Sequence, residues 1–253
     1  MSGLPASTGW TWFKEGVALF KRQPGGLATL LFANILISLA LSAIPVVGSV
    51  LAVVLIPSFS IAVMQACLMT EQGLRVTPAV ILTGFRQPAL GALCKVGLVY
   101  LGVSLLLAGV AELCIDDAFW KQLMAPVDPK VGPQVDPGDL MTMMLIALAQ
   151  SLAMLLLSFT PALTYWQQMP AFKATFYSVA AVLRATRAFV VMLLSWFGIF
   201  LGLCMVCVAV FGNAGIGRAV IMWIISLFVL LLQCAIYASY RQIFGTPGVD
   251  TTA

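Results

Sequence analysis

The chain has no histidine in 253 residues. That removes the usual general base, the imidazole metal ligand and histidine-ligated haem. Charge is nearly as scarce. Only 9% of residues are Asp, Glu, Lys or Arg, against about 25% in soluble domains. So few charges cannot cover a water-facing surface, and the bilayer must be the main solvent. Cysteine numbers six, but five lie inside apolar stretches, which argues against a disulfide framework. No set of catalytic partners is visible, so the chain reads as a non-enzyme without cofactors. No nucleic-acid partner is expected.

What is abundant is apolar sequence. Hydrophobic residues make up 62% of the chain, and the mean hydropathy is +1.06. Six apolar spans stand out at 27–44, 46–69, 89–111, 140–165, 188–211 and 218–240. The first and shortest reaches about 27 Å at 1.5 Å per residue, enough to cross. A basic flank and Ala40-Leu41-Ser42 give it some features of a signal peptide. The preceding region is too long and carries Trp10, Trp12, Phe13 and Phe20, so the span reads as a retained helix.

The spans are hung from short amphipathic connectors. The stretch 166–187 opens with Pro170 at a first helical position, where its missing N–H costs nothing. Phe172, Phe176, Val179 and Leu183 recur at helical spacing, beside Lys173, Arg184 and Arg187. An apolar face next to a basic one suits a helix in the headgroup layer of an anionic leaflet. The N-terminal segment has the same character, with Trp10, Phe13, Val17 and Phe20 on one face and Lys14 and Lys21 on another. The second connector in chain order follows Thr77-Pro78 and ends at Arg86. Arg22-Gln23-Pro24 and Arg86-Gln87-Pro88 repeat the same tripeptide before an apolar span.

These patterns predict an all-α polytopic membrane protein. Six transmembrane helices form three hairpins, each preceded by an interfacial helix on the cytoplasmic side. Residues 1–26 form the N-terminal interfacial helix, 27–240 the membrane domain and 241–253 a tail. Within the membrane domain, 112–139 is an extracytoplasmic loop. Its Val127-Asp128-Pro129, Val131-Gly132-Pro133 and Val135-Asp136-Pro137 repeat predicts an extended or disordered segment. With both termini inside, ten Lys and Arg fall on inner segments and only Lys121, Lys130 and Arg218 on outer ones. That bias predicts cytoplasmic termini. Lys14, Lys21, Arg22, Arg86, Lys173, Arg184 and Arg187 are then expected to face lipid headgroups of the anionic cytoplasmic leaflet.

Polar groups inside the spans are few. Asn34, Gln65, Gln150 and Gln233 are expected to bond between helices. Pro57 and Pro161 interrupt the second and fourth spans, within similar Ser58-Phe59-Ser60 and Ser158-Phe159-Thr160 contexts. Pro57 leaves the Val53 carbonyl without its helical donor, which Ser58, Ser60, a neighbouring helix or water could replace. Matched broken helices can line a transport site, and they also occur as plain structural kinks.

Other motifs have plain readings. Cys204 and Cys207 share a helix face mid-span, as small apolar fillers do. Met141, Met143 and Met144 open the fourth span as apolar surface. Glu112, Asp116 and Asp117 make a solvated acidic rim with too few ligands for a cation. Gly212 to Gly217 follows no strand and is no nucleotide loop. Gly198 and Gly202 form a GxxxG, expected to pack inside the bundle, with a homodimer seam as the alternative.

Certain stretches taken together resemble a known family. They are GWTWFKEGVALFKRQP, IPVVGSV, IPSF and SFTPALTYWQQMPAFKATFYSVAAVLRATRAF. They are similar to an uncharacterised family of six-helix inner-membrane proteins from proteobacteria. The resemblance implies location and topology and brings no activity or site residue. Members often carry Asn after the Arg that ends the third connector; here Ala185 and Thr186 follow Arg184.

Two functional readings remain. One is a structural, interaction or assembly protein of the inner membrane, supported by spans nearly free of buried charge. The other is a small-molecule permease or channel, supported by the repeat and the broken helices. A polar cavity at mid-membrane depth would favour the second, and a solid interior the first.

Overall fold

The computed structural model describes residues 5–45, 47–116, 119–120, 136–212 and 215–247. Residues 127–135 of the Val127–Pro137 repeat and the ends of the chain lie outside the described residues, while Asp136 and Pro137, expected to be extended or disordered, cap and start a helix. No strand occurs among the described residues. The elements are α1 (Ser7–Arg22), α2 (Pro24–Ser42), α3 (Val47–Glu71), a 3-10 helix (Pro78–Phe85), α4 (Ala89–Cys114), α5 (Pro137–Leu156), α6 (Thr160–Trp166), α7 (Ala171–Arg184), α8 (Thr186–Phe211) and α9 (Gly215–Phe244).

Six stretches are long and apolar enough to cross a bilayer: α2, α3, α4, Pro137–Trp166, α8 and α9. The six-span reading of the sequence holds. The fourth span is two helices rather than one, because α5 stops at Leu156 and α6 starts at Thr160. Pro161 sits in the first turn of α6, where it cannot donate back into α5.

α1 ends in Lys21 and Arg22, which suit the negative end of a helix. Pro24 then starts α2. The packed side of α1 is rotated from the one its aromatic spacing suggests: Phe13 is buried and Val17 and Phe20 pack against the core, but Trp10 does not. Thr8, Trp12, Phe13, Gly16 and Leu19 are buried, while Trp10 is exposed and stacks on Phe13. Two glycines decide this. A Cβ on Gly9 would lie 2.0 Å from the Ala188 carbonyl oxygen, and one on Gly16 would lie 2.7 Å from the Ala235 nitrogen. α1 therefore presses against the backbones of α8 and α9, and its apolar side meets protein rather than the acyl boundary.

Packing is concentrated at the end of the bundle that carries α1, the 3-10 helix and α7, called here the connector end. Trp12, Leu68, Phe159, Leu163, Phe189 and Tyr240 are buried there in one cluster. Phe159 is its hub, in ring contact with Phe189, Tyr240 and Phe244. At the opposite end, Leu105, Leu106, Leu148, Met205 and Val210 are exposed. An exposed apolar girdle on helices of this length is a surface for lipid. Gly198 and Gly202 belong to it, since a Cβ on either would meet nothing within 4 Å. The GxxxG is thus not used inside the bundle, because α8 turns that side outward.

α7 braces the break in the fourth span. Its buried Ser178 accepts from the Phe159 N–H at 3.1 Å and donates to the Leu156 carbonyl at 2.7 Å. Tyr100 on α4 donates to the Leu157 carbonyl at 2.8 Å. Main-chain groups released by the interruption are thereby repaired, as a low-dielectric setting demands. Phe172 and Phe176 on α7 point away from the bundle and are 84% and 72% exposed. Val179 instead packs partly against the buried cluster of Val96, Tyr100 and Leu157.

Candidate functional site

At mid-depth, α2, α3 and α9 enclose a cavity of about 340 Å³. Asn34 stands about 15 Å along α2 from Pro24, and Ser60 about 16 Å along α3 from Glu71, at 1.5 Å per residue. Both are therefore near the middle of a hydrocarbon core about 30 Å thick. Asn34, Ser38, Ser60 and Gln233 supply the polar lining, with Val53 and Phe59 beside them. The Ser60 hydroxyl donates to Gln233 Oε1 at 3.4 Å. Asn34 makes no hydrogen bond among the described residues. Val53, whose carbonyl is denied its helical donor by Pro57, lines the same space. The site is uncharged: it offers amide and hydroxyl groups and one carbonyl, and no group able to act as base or nucleophile at neutral pH.

The six interior positions singled out in the sequence separate. Asn34 and Gln233 meet at this cavity, one turn from Pro57 in α3. Gln65 accepts from Trp166 Nε1 at 3.1 Å, joining α3 to α6. Gln150 donates to Ser104 Oγ at 3.0 Å, joining α5 to α4. Pro161 is buried where α6 begins, and its break is filled by Ser178 and Tyr100 rather than left open. Pro57, expected to interrupt the second span, sits inside α3, which runs unbroken from Val47 to Glu71, so only the fourth span is interrupted. The seven basic residues, Lys14, Lys21, Arg22, Arg86, Lys173, Arg184 and Arg187, are all exposed. Lys14 and Lys173 lie over the rings of Trp10 and Tyr177, each 5.9 Å from the centroid.

The cavity is closed toward the connector end. Met64, Cys67 and Leu68 on α3 and Cys234, Tyr237 and Ala238 on α9 are buried on successive turns. Beyond them Arg241 bridges two carboxylates, Glu15 at 2.6 Å and Glu71. The Tyr237 hydroxyl donates to Glu71 at 2.7 Å, and Trp12 Nε1 donates to Gln242. This latch joins the ends of α1, α3 and α9.

Sequence reasoning passed over the latch, counting Arg241 only as a topology signal. The clue was available: Glu15 and Glu71 are the two carboxylates on the inner segments ahead of the tail. Cys67 on α3 and Cys234 on α9 have their sulfurs 3.4 Å apart, both thiols free and fully buried. Nothing in the spacing of two residues on separate spans shows that register. No group of three or more acidic or cysteine side chains suited to a metal occurs among the described residues.

No family model and no solved structure matches the chain. A probable inner membrane protein of Burkholderia thailandensis is 30% identical over 257 positions, an alignment that takes in 97% of this chain and 94% of that protein. Near end-to-end agreement with a protein so described, together with six apolar helices of spanning length, identifies a multi-pass inner-membrane protein, and the chain belongs to the same family as the Burkholderia protein.

Proposed function

We propose that this protein is a non-enzymatic structural or interaction component of the inner membrane. One observation carries the reading: the latched connector end. There α1, α3 and α9 are locked by Arg241, and the aromatic cluster around Phe159 packs against Phe189, Tyr240 and Phe244. A rigid end with spans lacking mid-depth charge suits a platform better than a conduit, because ionisable groups normally mark ion paths. In-membrane photocrosslinking tests it, with a benzophenone side chain placed in turn at Phe176, Leu194 and Met205, all exposed. A partner protein, or a second copy of the chain, should be captured reproducibly from one of these faces and not the others. Adducts with lipid alone at every position would overturn the reading.

The mid-depth cavity favours a second reading, a permease for a small uncharged solute. Its amides and hydroxyls could replace water around such a solute, and Pro57 gives α3 a place to bend. Vesicles containing the purified chain should then pass small polyols faster than empty vesicles, and Asn34→Leu with Gln233→Leu should abolish the difference. Equal leakage with and without the protein sinks this reading and leaves the first.

A further inference from the structure

Two cavities at the connector end, distinct from the mid-depth one, share Pro88 and Gln168 as a common wall. The first, about 380 Å³, is the more polar of the two and lies between α3, the 3-10 helix and α6, with Gln65, Thr77, Thr83, Arg86 and Gln87 on its sides. The second is a groove of about 1120 Å³ along α4, larger than the 300–1,000 Å³ typical of small-molecule sites. Its floor is the stripe Gly91, Lys95, Leu98, Gly102, at one helical spacing, and its far wall is the turn into α7, ending at Phe172. Added Cβ atoms on Gly91 or Gly102 would meet nothing within 4 Å, so space lies above both.

Three features say what fills it. First, Arg86 and Lys95 bring one cation to each cavity, and neither is ion-paired among the described residues. Second, Thr164 lines the groove, is 3% exposed, and its hydroxyl has no partner. Threonines at 70, 142 and 175 bond the carbonyl four residues back, the usual resort of a helical hydroxyl. Third, no carboxylate lines either cavity. An ammonium headgroup would find no counter-charge, while a hydroxylic one would find amide and hydroxyl partners.

We propose that the joined cavities bind one anionic phospholipid with a glycerol-type headgroup. Its phosphate lies between Arg86 and Lys95, and its headgroup hydroxyls enter the polar chamber. An acyl chain follows the Gly91–Gly102 stripe of α4. Basic pockets between membrane helices are a recognised form of headgroup site. The inference is independent of whether the protein is a platform or a permease.

The test uses the full chain in nanodiscs holding equal phosphatidylglycerol and phosphatidylethanolamine, released into mild detergent and weighed by native mass spectrometry. Wild-type protein should retain a single phosphatidylglycerol in preference to phosphatidylethanolamine. Arg86→Gln with Lys95→Gln should cut that preference roughly thirtyfold. Gly102→Leu should abolish retention without altering charge, and it has room to fold. Lys14→Gln with Arg184→Gln, removing two exposed cations elsewhere, should change nothing. Equal retention of both lipids by the wild type, no effect of Gly102→Leu, or an equal effect of the control pair would overturn the proposal. Millimolar glycerol phosphate should fail to displace the lipid; displacement would assign the site to a soluble phosphate ester instead. If the double variant does not fold, the wild-type comparison and Gly102→Leu still decide.

Discussion

A few hydroxyl and guanidinium groups carry more weight here than their number suggests. In water, a broken helix is repaired by solvent; in hydrocarbon, protein must do it. Ser178 is the repair for two main-chain groups at once, and Tyr100 for one that Thr160 N–H also serves. Ser178→Ala should therefore destabilise by about 2–3 kcal/mol, since it leaves a donor and an acceptor buried and unpaired. Tyr100→Phe should cost about 1 kcal/mol, because Leu157 keeps its other donor. Thermal melting in nanodiscs orders the two, and a neutral Ser178→Ala would show that water enters the break. Arg241→Gln should cost about 1–2 kcal/mol. The pairs it removes are charge-assisted but about a quarter to two-fifths exposed, and solvent screens them. Glu15→Gln, touching the more exposed partner, should cost less than Glu71→Gln, which also loses the Tyr237 bond.

Among the elements, α1 and α7 look alike in sequence and behave differently. Both are short and amphipathic with basic ends. α1 has glycine at 9 and 16, one helical side, and so reaches the backbones of α8 and α9. α7 has Ala174, Ser178 and Val182 on its packed side and leaves Phe172 and Phe176 outward. Gly16→Leu should uncouple α1 from the bundle and lower the melting temperature sharply, whereas Trp10→Ala should change it little. A tolerated Gly16→Leu would contradict the packing. For α7, a spin label at Phe176 should respond to lipid-dissolved oxygen and one at Lys173 to a water-soluble relaxant. Equal exposure of both to water would make the segment an ordinary loop. The six spans, their order and the existence of the connectors were legible, because apolar length and composition are local signals. The rotation of α1 that buries Trp12 and exposes Trp10 was not, because it is set by two glycines whose meaning lies in a partner 170 or more residues away. The break at Pro161 was legible as a proline; its repair by Ser178 was not, since an ordinary serine in an amphipathic helix carries no mark of its partner. Of the mid-depth cavity, Asn34 and Gln233 were visible as isolated polar residues in apolar spans. That they face one another depends on the rotation of α2 against α9, which hydropathy does not encode.

For the whole molecule, the question is which side of the membrane the latched end faces. All three connectors gather at that end, and with them Lys14, Lys21, Arg22, Arg86, Lys173, Arg184, Arg187 and Arg241. Arg218, at the start of α9, belongs to the opposite end. Basic residues flanking short loops are retained on the cytoplasmic side during insertion. The packed core and the basic residues thus predict the same arrangement: the rigid end inside, the apolar girdle running outward. The cost of reversing it would be to carry those cations across the hydrocarbon, at about 2.5–3.5 kcal/mol for each Lys or Arg at the helix centre on insertion scales. Alkaline phosphatase fused after Asp136 should be active, and a fluorescent protein fused at Ala253 should fluoresce, placing the first outside and the second within. Neutralising Lys14, Lys21 and Arg22 together should weaken the bias of the first span without removing it, because Arg75, Arg86 and Lys95 still act on the following pair. A phosphatase active at both positions would mean an even number of crossings between them, and six spans in this order would be wrong.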